Sequence, residues 1–301
     1  MKSTIQFKQE DDIIDICKDN VFKAVFTKDM PQSRIALSKL VSALIGKEII
    51  IENILANEIP INSLHDRQVR FDINCKAENG ELINVEMCYN PDSFEALRLE
   101  FHAGRLFTAQ NIRGSDKDYS DLLQVYQIAI LGKNRIIPDD VFFHTFEYFD
   151  PVNSISLNGK TRIITLELSK LENVLEKPID EMKAHEFWAI FFRYLTDKNK
   201  RHIMNEIVKR EDGISMASEV VMSISKDLEE RLRLMSEEKA QMDYQHYMVS
   251  AMRKGRQEGL QEGLREGMRA GEKRREQYVL NLINQGLSAE EIKQHLTAEY
   301  T

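Results

Sequence analysis

The hydrophobic positions along the first two thirds of the chain predict a domain that alternates helices and strands. Residues 13–26 fit an amphipathic helix, which a turn at residues 18–20 would split. Residues 33–46 give a clearer helical pattern ending at Gly46, a residue suited to the left-handed backbone at a helix C-terminus. The β-branched residues of 47–61 predict a strand.

A long helix and a second set of strands are expected next. Residues 93–112 have a helical pattern whose predicted buried stripe contains Phe94, Leu97, Phe101 and Ala109. The remaining predicted elements of this region are strands at 124–131, 141–149 and 162–168 and a helix at 181–195. This mixture predicts an α/β or α+β domain that ends near residue 200.

The composition changes after this region, and the rest of the chain is helical in pattern. Glycine recurs at every fourth position from Gly255 to Gly271, and Ser288 with Glu291 forms a capping-box pattern after Gly286. The predicted organisation is a flexible N-terminus at 1–12, an α/β domain at 13–200, a helical segment at 201–254, a glycine-repeat helix or linker at 255–275, and C-terminal helices at 276–301.

Two of the predicted strands, in the stretch FDINCKAENGELINVEMCYN, carry one acid each among apolar neighbours. A two-residue turn at Asn79-Gly80 would place Asp72 and Glu86 on opposite faces of the hairpin. A three-residue loop with a left-handed Gly80 would place the two acids opposite each other, with Cβ atoms roughly 4.5–5.5 Å apart.

The alternation of apolar and polar residues favours the three-residue loop. In that register one face is expected to be buried and the other to carry the acids, and a slip of one residue would mix the two sets. The predicted buried face contains Phe71, Ile73, Val85 and Met87, and the acid face contains Asp72, Asn74, Asn84 and Glu86.

Opposed carboxylates repel unless a cation lies between them, and this points to a metal site. Mg²⁺ is the expected ion, with Mn²⁺ as a substitute, because hard cations are held by carboxylates, waters and substrate phosphate. Such an ion can activate water and stabilise charge on a phosphodiester. The alternative is that both acids belong to the solvated face of an ordinary hairpin.

Composition limits the class of protein further. The 301 residues are 42% hydrophobic, enough for a sizeable core, and contain no run of 18 apolar residues that would predict a membrane span. The first residues lack the apolar core of a signal peptide, and the three cysteines have no metal-ligand spacing, so a cytoplasmic location is expected. The net charge of −8 argues mildly against non-specific nucleic-acid binding, although local basic patches matter more than the total.

The hairpin resembles the core of the PD-(D/E)XK nucleases, in which an acid on one strand precedes E-x-K on the next. Within that superfamily the chain looks like the recombination-promoting nuclease/putative transposase family. The resemblance covers residues 15–200 and the tail. It is carried in order by Asp19-Asn20-Val21-Phe22-Lys23, Phe71-Asp72-Ile73, Ile83-Asn84-Val85-Glu86-Met87, the helix with Arg98 and Arg105, residues 119–131, and the Gly-x-x-Glu repeat.

The resemblance implies an α/β fold of the restriction-endonuclease type, a central mixed sheet flanked by helices, and metal-dependent DNA cleavage. It implies that Asp72 and Glu86 bind the metal and that Asp19 is an accessory acid, or alternatively a helix cap. Cys88 departs from the pattern, because it occupies the position of the usual lysine or glutamine and a thiol offers no fixed charge. Either the site is weakened, giving a DNA- or protein-binding module, or another group compensates. Arg70, opposite Cys88 in the predicted register, is the candidate cation, with a surface arginine as the alternative.

Three further features bear on function. Arg98 could reach a phosphate or orient a carboxylate, or form only a surface salt bridge, whereas His102 and His185 are predicted to be structural. The glycine repeat predicts self-association of the tail, because small residues let helices approach closely; a spacer is the alternative. DNA contact is a further alternative for the tail, through Arg256, Arg265, Arg269, Lys273, Arg274 and Arg275.

Overall fold

A six-stranded mixed sheet forms the centre of the protein. The computed structural model describes residues 5–57, 71–110, 112 and 117–298. They fall into two compact units, Met1–Glu238 and Lys239–Thr301. The strands are β1 Ile51–Ile54, β2 Ile73–Ala77, β3 Leu82–Cys88, β4 Val125–Leu131, β5 Phe143–Phe146, β6 Phe149–Asp150, β7 Ile155–Ser156 and β8 Thr161–Glu167. The six-stranded sheet has the order β1-β2-β3-β4-β8-β5; its central strands β3, β4 and β8 run parallel, and every other neighbouring pair in it is antiparallel.

Helices cover both faces of this sheet, which confirms the fold that the family resemblance implies. The helices are α1 Asp19–Thr27, α2 Pro31–Ile45, α3 Glu95–Thr108, α4 Ala184–Tyr194, α5 Arg201–Arg210, α6 Asp212–Lys226, α7 Leu228–Asn284 and α8 Ala289–Ala298. One face of the sheet packs with α1, α2, α4, α5 and α6 into the main core. The other face packs against α3 in two smaller apolar clusters. The parallel strands are therefore buried on both sides, as such strands generally are.

Several local predictions are confirmed by this structure. The helix predicted at 13–26 is confirmed only in its second half: α1 begins at Asp19, and the turn before it lies at residues 16–18 rather than 18–20. Gly46 ends α2 with φ +82°, and Gly286 follows α7 with φ +84°. The backbone N–H of Ser288 donates to Glu291 before α8, as the capping pattern predicts. These features depend on neighbouring residues only.

Other predictions are wrong because tertiary packing decides them. The strand expected at 47–61 is limited to β1, and residues 58–61 lie outside the described residues. The expected buried stripe of α3 is exposed, with Phe94 at 69% and Leu97 at 63%. The helix instead buries the face that carries Glu95, Leu99, His102 and Leu106.

The first compact unit extends beyond the predicted domain boundary at residue 200. Helices α5 and α6 bury apolar residues such as Met204, Ile207, Ile214 and Val220 in the main core. The second unit consists of the remainder of α7, which contains the whole glycine repeat, together with α8. Among the described residues, no helix is both long and apolar enough to cross a membrane.

Candidate active site

The hairpin of β2 and β3 adopts the register that the alternation predicts. Ile73 pairs with Val85 and Asn74 with Asn84, and Gly80 is left-handed with φ +87°. The Gly80 N–H donates to the Ala77 carbonyl oxygen at 2.8 Å, which closes the three-residue loop. This register directs the side chain of Glu86 toward α3 and that of Val85 toward the main core.

Glu86 is buried under α3 and held by polar partners. Its Oε1 lies 2.5 Å from His102 Nδ1 and accepts a hydrogen bond from Asn84 Nδ2 at 2.7 Å. The Asn84 amide also donates to Gln127 on β4 at 2.8 Å. Arg98 places its Nη2 3.7 Å from Glu86 Oε2. The carboxylate is thus fixed by β3, β4 and α3 together.

These partners determine the charge of Glu86. Burial by itself would raise the pKa of this carboxyl, but the hydrogen bonds and charges of His102, Arg98 and Asn84 outweigh burial and hold the pKa below its usual value. Glu86 Oε2 is buried and accepts no hydrogen bond from the described residues. An ionised, buried oxygen without a donor is a favourable ligand for a cation.

Asp72 lies just before β2, where the backbone bends. The regular pairing of β2 with β3 ends at Ile73 and Val85, and the Oδ2 of Asp72 accepts a hydrogen bond from the Met87 N–H at 3.1 Å. Asp72 is therefore attached to β3 by its side chain, one residue beyond the regular pairs. The bend also moves Phe71 off the predicted face, since it packs with Leu106 and against the His102 ring rather than in the main core.

Asp72 is electrostatically linked to α1 as well as to Glu86. Its Oδ1 lies 2.9 Å from Lys23 Nζ, and the same ammonium is 3.3 Å from Asp19 Oδ2. The pKa of Asp72 is raised to about 7 by burial first, then by the negative charge of Asp19, with Glu86 adding to the effect and Lys23 opposing it. The first turn of α1 has no side-chain cap hydrogen bond, so the structure shows Asp19 in an ion pair rather than as a cap.

Cys88 is an uncharged thiol in this site. Its Sγ donates to Glu95 Oε2 at 3.4 Å. Burial, followed by the nearby charge of Glu95, raises the pKa of the thiol to about 12. Glu95 Oε1 in turn accepts hydrogen bonds from Arg98 Nη2 at 2.6 Å and Nε at 3.1 Å. A thiol in this state cannot carry charge at neutral pH.

The structure thus brings together most of the sequence-predicted residues and adds others. Asp19, Asp72, Glu86 and Cys88 all lie around the end of the hairpin, whereas Arg70 is outside the described residues. His102, which the sequence predicts to be structural, contacts Glu86 of the site, a partner that its spacing in the sequence does not reveal. The spacing of four residues between Arg98 and His102 indicates that they share one face of a helix. The helix pattern alone does not show which strand that face packs against.

A second group of potential metal ligands lies near β8 and β5, at the edge of the sheet opposite β1. Ligand atoms of Asp139, His144 and Glu167 lie within 4.8 Å of one another. The fully buried ammonium of Lys170 pairs with Glu167 and lies 2.9 Å from Asp139 Oδ1. Because this ammonium already neutralises the acids of the group, a metal ion would have to displace it.

The residues of the hairpin, in contrast, suit a divalent metal. Glu86 offers a buried oxygen that accepts no hydrogen bond from the described residues. Asp72 offers a carboxylate whose pKa is raised by burial and by neighbouring acids; its lysine partner, Lys23, is partly exposed, unlike the fully buried Lys170. Oxygen ligands of this kind are those that Mg²⁺ and Mn²⁺ take in proteins. The donor set therefore fits the ion that the sequence resemblance implies.

A mixed sheet with Asp72 before β2 and the buried Glu86 on β3 has the arrangement that the resemblance to PD-(D/E)XK nucleases implies. Residues 16–251 match the model of the family described as PD-(D/E)XK nuclease family transposase. The chain belongs to this family, whose nucleases are in general dependent on divalent metals. No curated protein and no solved structure matches the sequence.

Proposed function

We propose that this protein is a metal-dependent DNA endonuclease that hydrolyses phosphodiester bonds. The observation that carries the proposal is Glu86 Oε2, a buried oxygen of an ionised carboxylate that accepts no hydrogen bond within the described part of the chain. Burying an ionised group is costly unless it is paired. A site that keeps one such oxygen available is therefore suited to a cation.

Each residue of the site has a distinct role in this proposal. Asp72 and Glu86 hold Mg²⁺ or Mn²⁺, and His102 and Asn84 fix the orientation of Glu86 through its other oxygen. Asp19 adds negative charge on the α1 side. When bound, the metal lowers the pKa of a water and stabilises negative charge on the phosphodiester. Cys88 is not the base that activates water, because its proton is held up to about pH 12.

Cleavage of plasmid DNA tests this proposal. The full chain is incubated with Mg²⁺, Mn²⁺ or EDTA, beside Asp72→Asn and Glu86→Gln, and Mn²⁺ binding is measured by calorimetry on the same preparations. Glu78→Gln is the matched control, because it neutralises an exposed acid in the loop of the same hairpin. We expect cleavage and Mn²⁺ binding in the wild type and in Glu78→Gln, and loss of both in the site variants.

The alternative function is a nuclease-fold module that binds DNA or protein without cleaving. The uncharged thiol at position 88 favours it, because the usual lysine or glutamine is absent. Folded wild-type protein that binds Mn²⁺ and DNA but does not cleave with any metal would establish this alternative in place of the endonuclease.

We further propose that the tail joins copies of the chain into an oligomer. A Cβ added at Gly255, Gly259, Gly263, Gly267 or Gly271 would have no neighbour within 4 Å. Each interior glycine destabilises a helix by about 1 kcal/mol relative to alanine. Close packing against a partner helix would offset this loss of helix stability. An exposed row of Leu260, Leu264 and Met268 follows the glycines at the same spacing. A second copy of this helix is the proposed occupant.

A further inference from the structure

The position that usually carries lysine in this fold is electrically neutral here. Cys88 has no fixed charge to offer, and among the described residues its thiol donates only to the Glu95 carboxylate. The charge that develops on a phosphate during hydrolysis is normally met by a fixed cation. A working nuclease therefore needs a positive group from another part of the chain.

Arg98 brings such a group to the same place. The carboxylate of Glu95 connects Arg98 to Cys88. One of its oxygens accepts a hydrogen bond from the Cys88 thiol, and the other accepts hydrogen bonds from Nε and Nη2 of Arg98. The guanidinium also lies 3.7 Å from Glu86 Oε2, the oxygen without a hydrogen-bond donor. Its charge is thus located next to the candidate metal ligand and next to position 88.

The side chain of Arg98 is also accessible to a substrate. It is 46% exposed, whereas the side chains of Glu86 and Glu95 are 3% and 5% exposed. A guanidinium has five N–H donors, and the hydrogen bonds to Glu95 use only Nε and Nη2. Within the described residues, donors therefore remain for a phosphate, the group that guanidinium geometry matches best.

We infer that Arg98 supplies to the scissile phosphate the positive charge that a lysine at position 88 would supply, and that Glu95 positions it. This inference rests on the proposed endonuclease function. Lys23, the other cation of the site, pairs with Asp72 and Asp19 on the α1 side. Arg70 is the competing assignment from the sequence.

The test compares Arg98→Gln, Arg98→Lys, Arg70→Ala and the double variant Arg98→Gln/Cys88→Lys in the full chain. Glutamine keeps a donor for Glu95 without the charge, so it separates charge from packing. Arg233→Met is the matched control, because Arg233 is an exposed helical arginine that pairs with Glu237 one turn away. The measurements are kcat and KM for DNA cleavage, Mn²⁺ affinity, and DNA affinity in Ca²⁺.

We expect kcat to fall about 100-fold in Arg98→Gln, the usual effect of removing one transition-state donor, with Mn²⁺ binding retained. Arg98→Lys should keep most of the wild-type kcat. The double variant should have a kcat at least about tenfold higher than that of Arg98→Gln. The DNA affinity of these variants in Ca²⁺ should differ from that of the wild type by less than about threefold. Arg70→Ala and Arg233→Met should cleave like the wild type.

The inference is overturned if Arg98→Gln keeps its kcat, or if only Arg70→Ala loses it. A folded double variant that binds Mn²⁺ but recovers no cleavage also overturns it. Absence of cleavage by the wild type is a different failure, because it overturns the proposed endonuclease function itself.

Discussion

Lys23 Nζ lies 2.9 Å from Asp72 Oδ1, which joins the first helix to the acid that precedes β2. The same ammonium pairs with Asp19, so α1 contributes both a positive and a negative charge at the end of the hairpin. Asp72 nevertheless has a pKa raised to about 7, because burial and the charges of Asp19 and Glu86 outweigh this one cation. The charge state of Asp72 therefore changes with pH near neutrality.

The first prediction concerns the pH dependence of metal binding. Asp72 must lose its proton to bind a metal, and a raised pKa means that protons compete up to about pH 7. We expect the Mn²⁺ association constant to rise about tenfold per pH unit below 7 and to level off above it. Calorimetric titrations between pH 5.5 and 8.5 measure this, with Glu78→Gln as a control that should show the same profile. A flat profile would contradict the assignment of Asp72.

The second prediction concerns the contact between His102 and Glu86. His102→Leu leaves a buried carboxylate with fewer donors, which costs about 1–3 kcal/mol for a neutral group and more for a charged one. We expect the free energy of unfolding, measured with urea at pH 7.5, to fall by about 3 kcal/mol, and Mn²⁺ affinity to fall as well.

His102→Asn is the control for this prediction, because its amide can still donate near the position of Nδ1. It should recover part of both the stability and the Mn²⁺ affinity. Equal losses in the asparagine and leucine variants would show that the hydrogen bond to Glu86 is not the cause.

The third prediction concerns the chemistry of Cys88. With a pKa raised to about 12 by burial and by Glu95, this residue is a thiol rather than a thiolate at pH 8. Alkylation by iodoacetamide, followed by mass spectrometry, should be on the order of 1000-fold slower in the native protein than in urea. Cys75, whose pKa burial also raises to about 12, should react slowly as well. Rapid labelling of native Cys88 at pH 7 would contradict its assignment as a neutral group.

The fourth prediction concerns the tail. Leu260→Gln/Leu264→Gln removes two exposed apolar side chains from the row beside the glycines. We expect the mass in solution, measured by light scattering after gel filtration, to fall toward that of one chain. Gln257→Ala/Gln261→Ala is the matched control on a polar row of the same helix and should keep the wild-type mass. A wild-type protein that is monomeric at all concentrations would refute the tail as an oligomer contact.

The sequence by itself determined what depends on neighbouring residues. The left-handed positions of Gly46 and Gly80 and the register of the hairpin follow from local turn chemistry and from alternation with a period of two. Because that register was predictable, Glu86 and the position of Cys88 in the candidate site were predictable too. The family resemblance supplied the fold class and the expectation of a metal.

The tertiary structure decided which faces and charges meet. A hydrophobic stripe predicts the buried face of a helix only if the opposing surface is apolar, and α3 instead buries Glu95 and His102 against Cys88 and Glu86. The bend at Asp72 and the ion pair with Lys23 depend on α1, which lies far from the hairpin in sequence. Partners of this kind are set by long-range packing and buried electrostatics, and a local pattern carries no information on either.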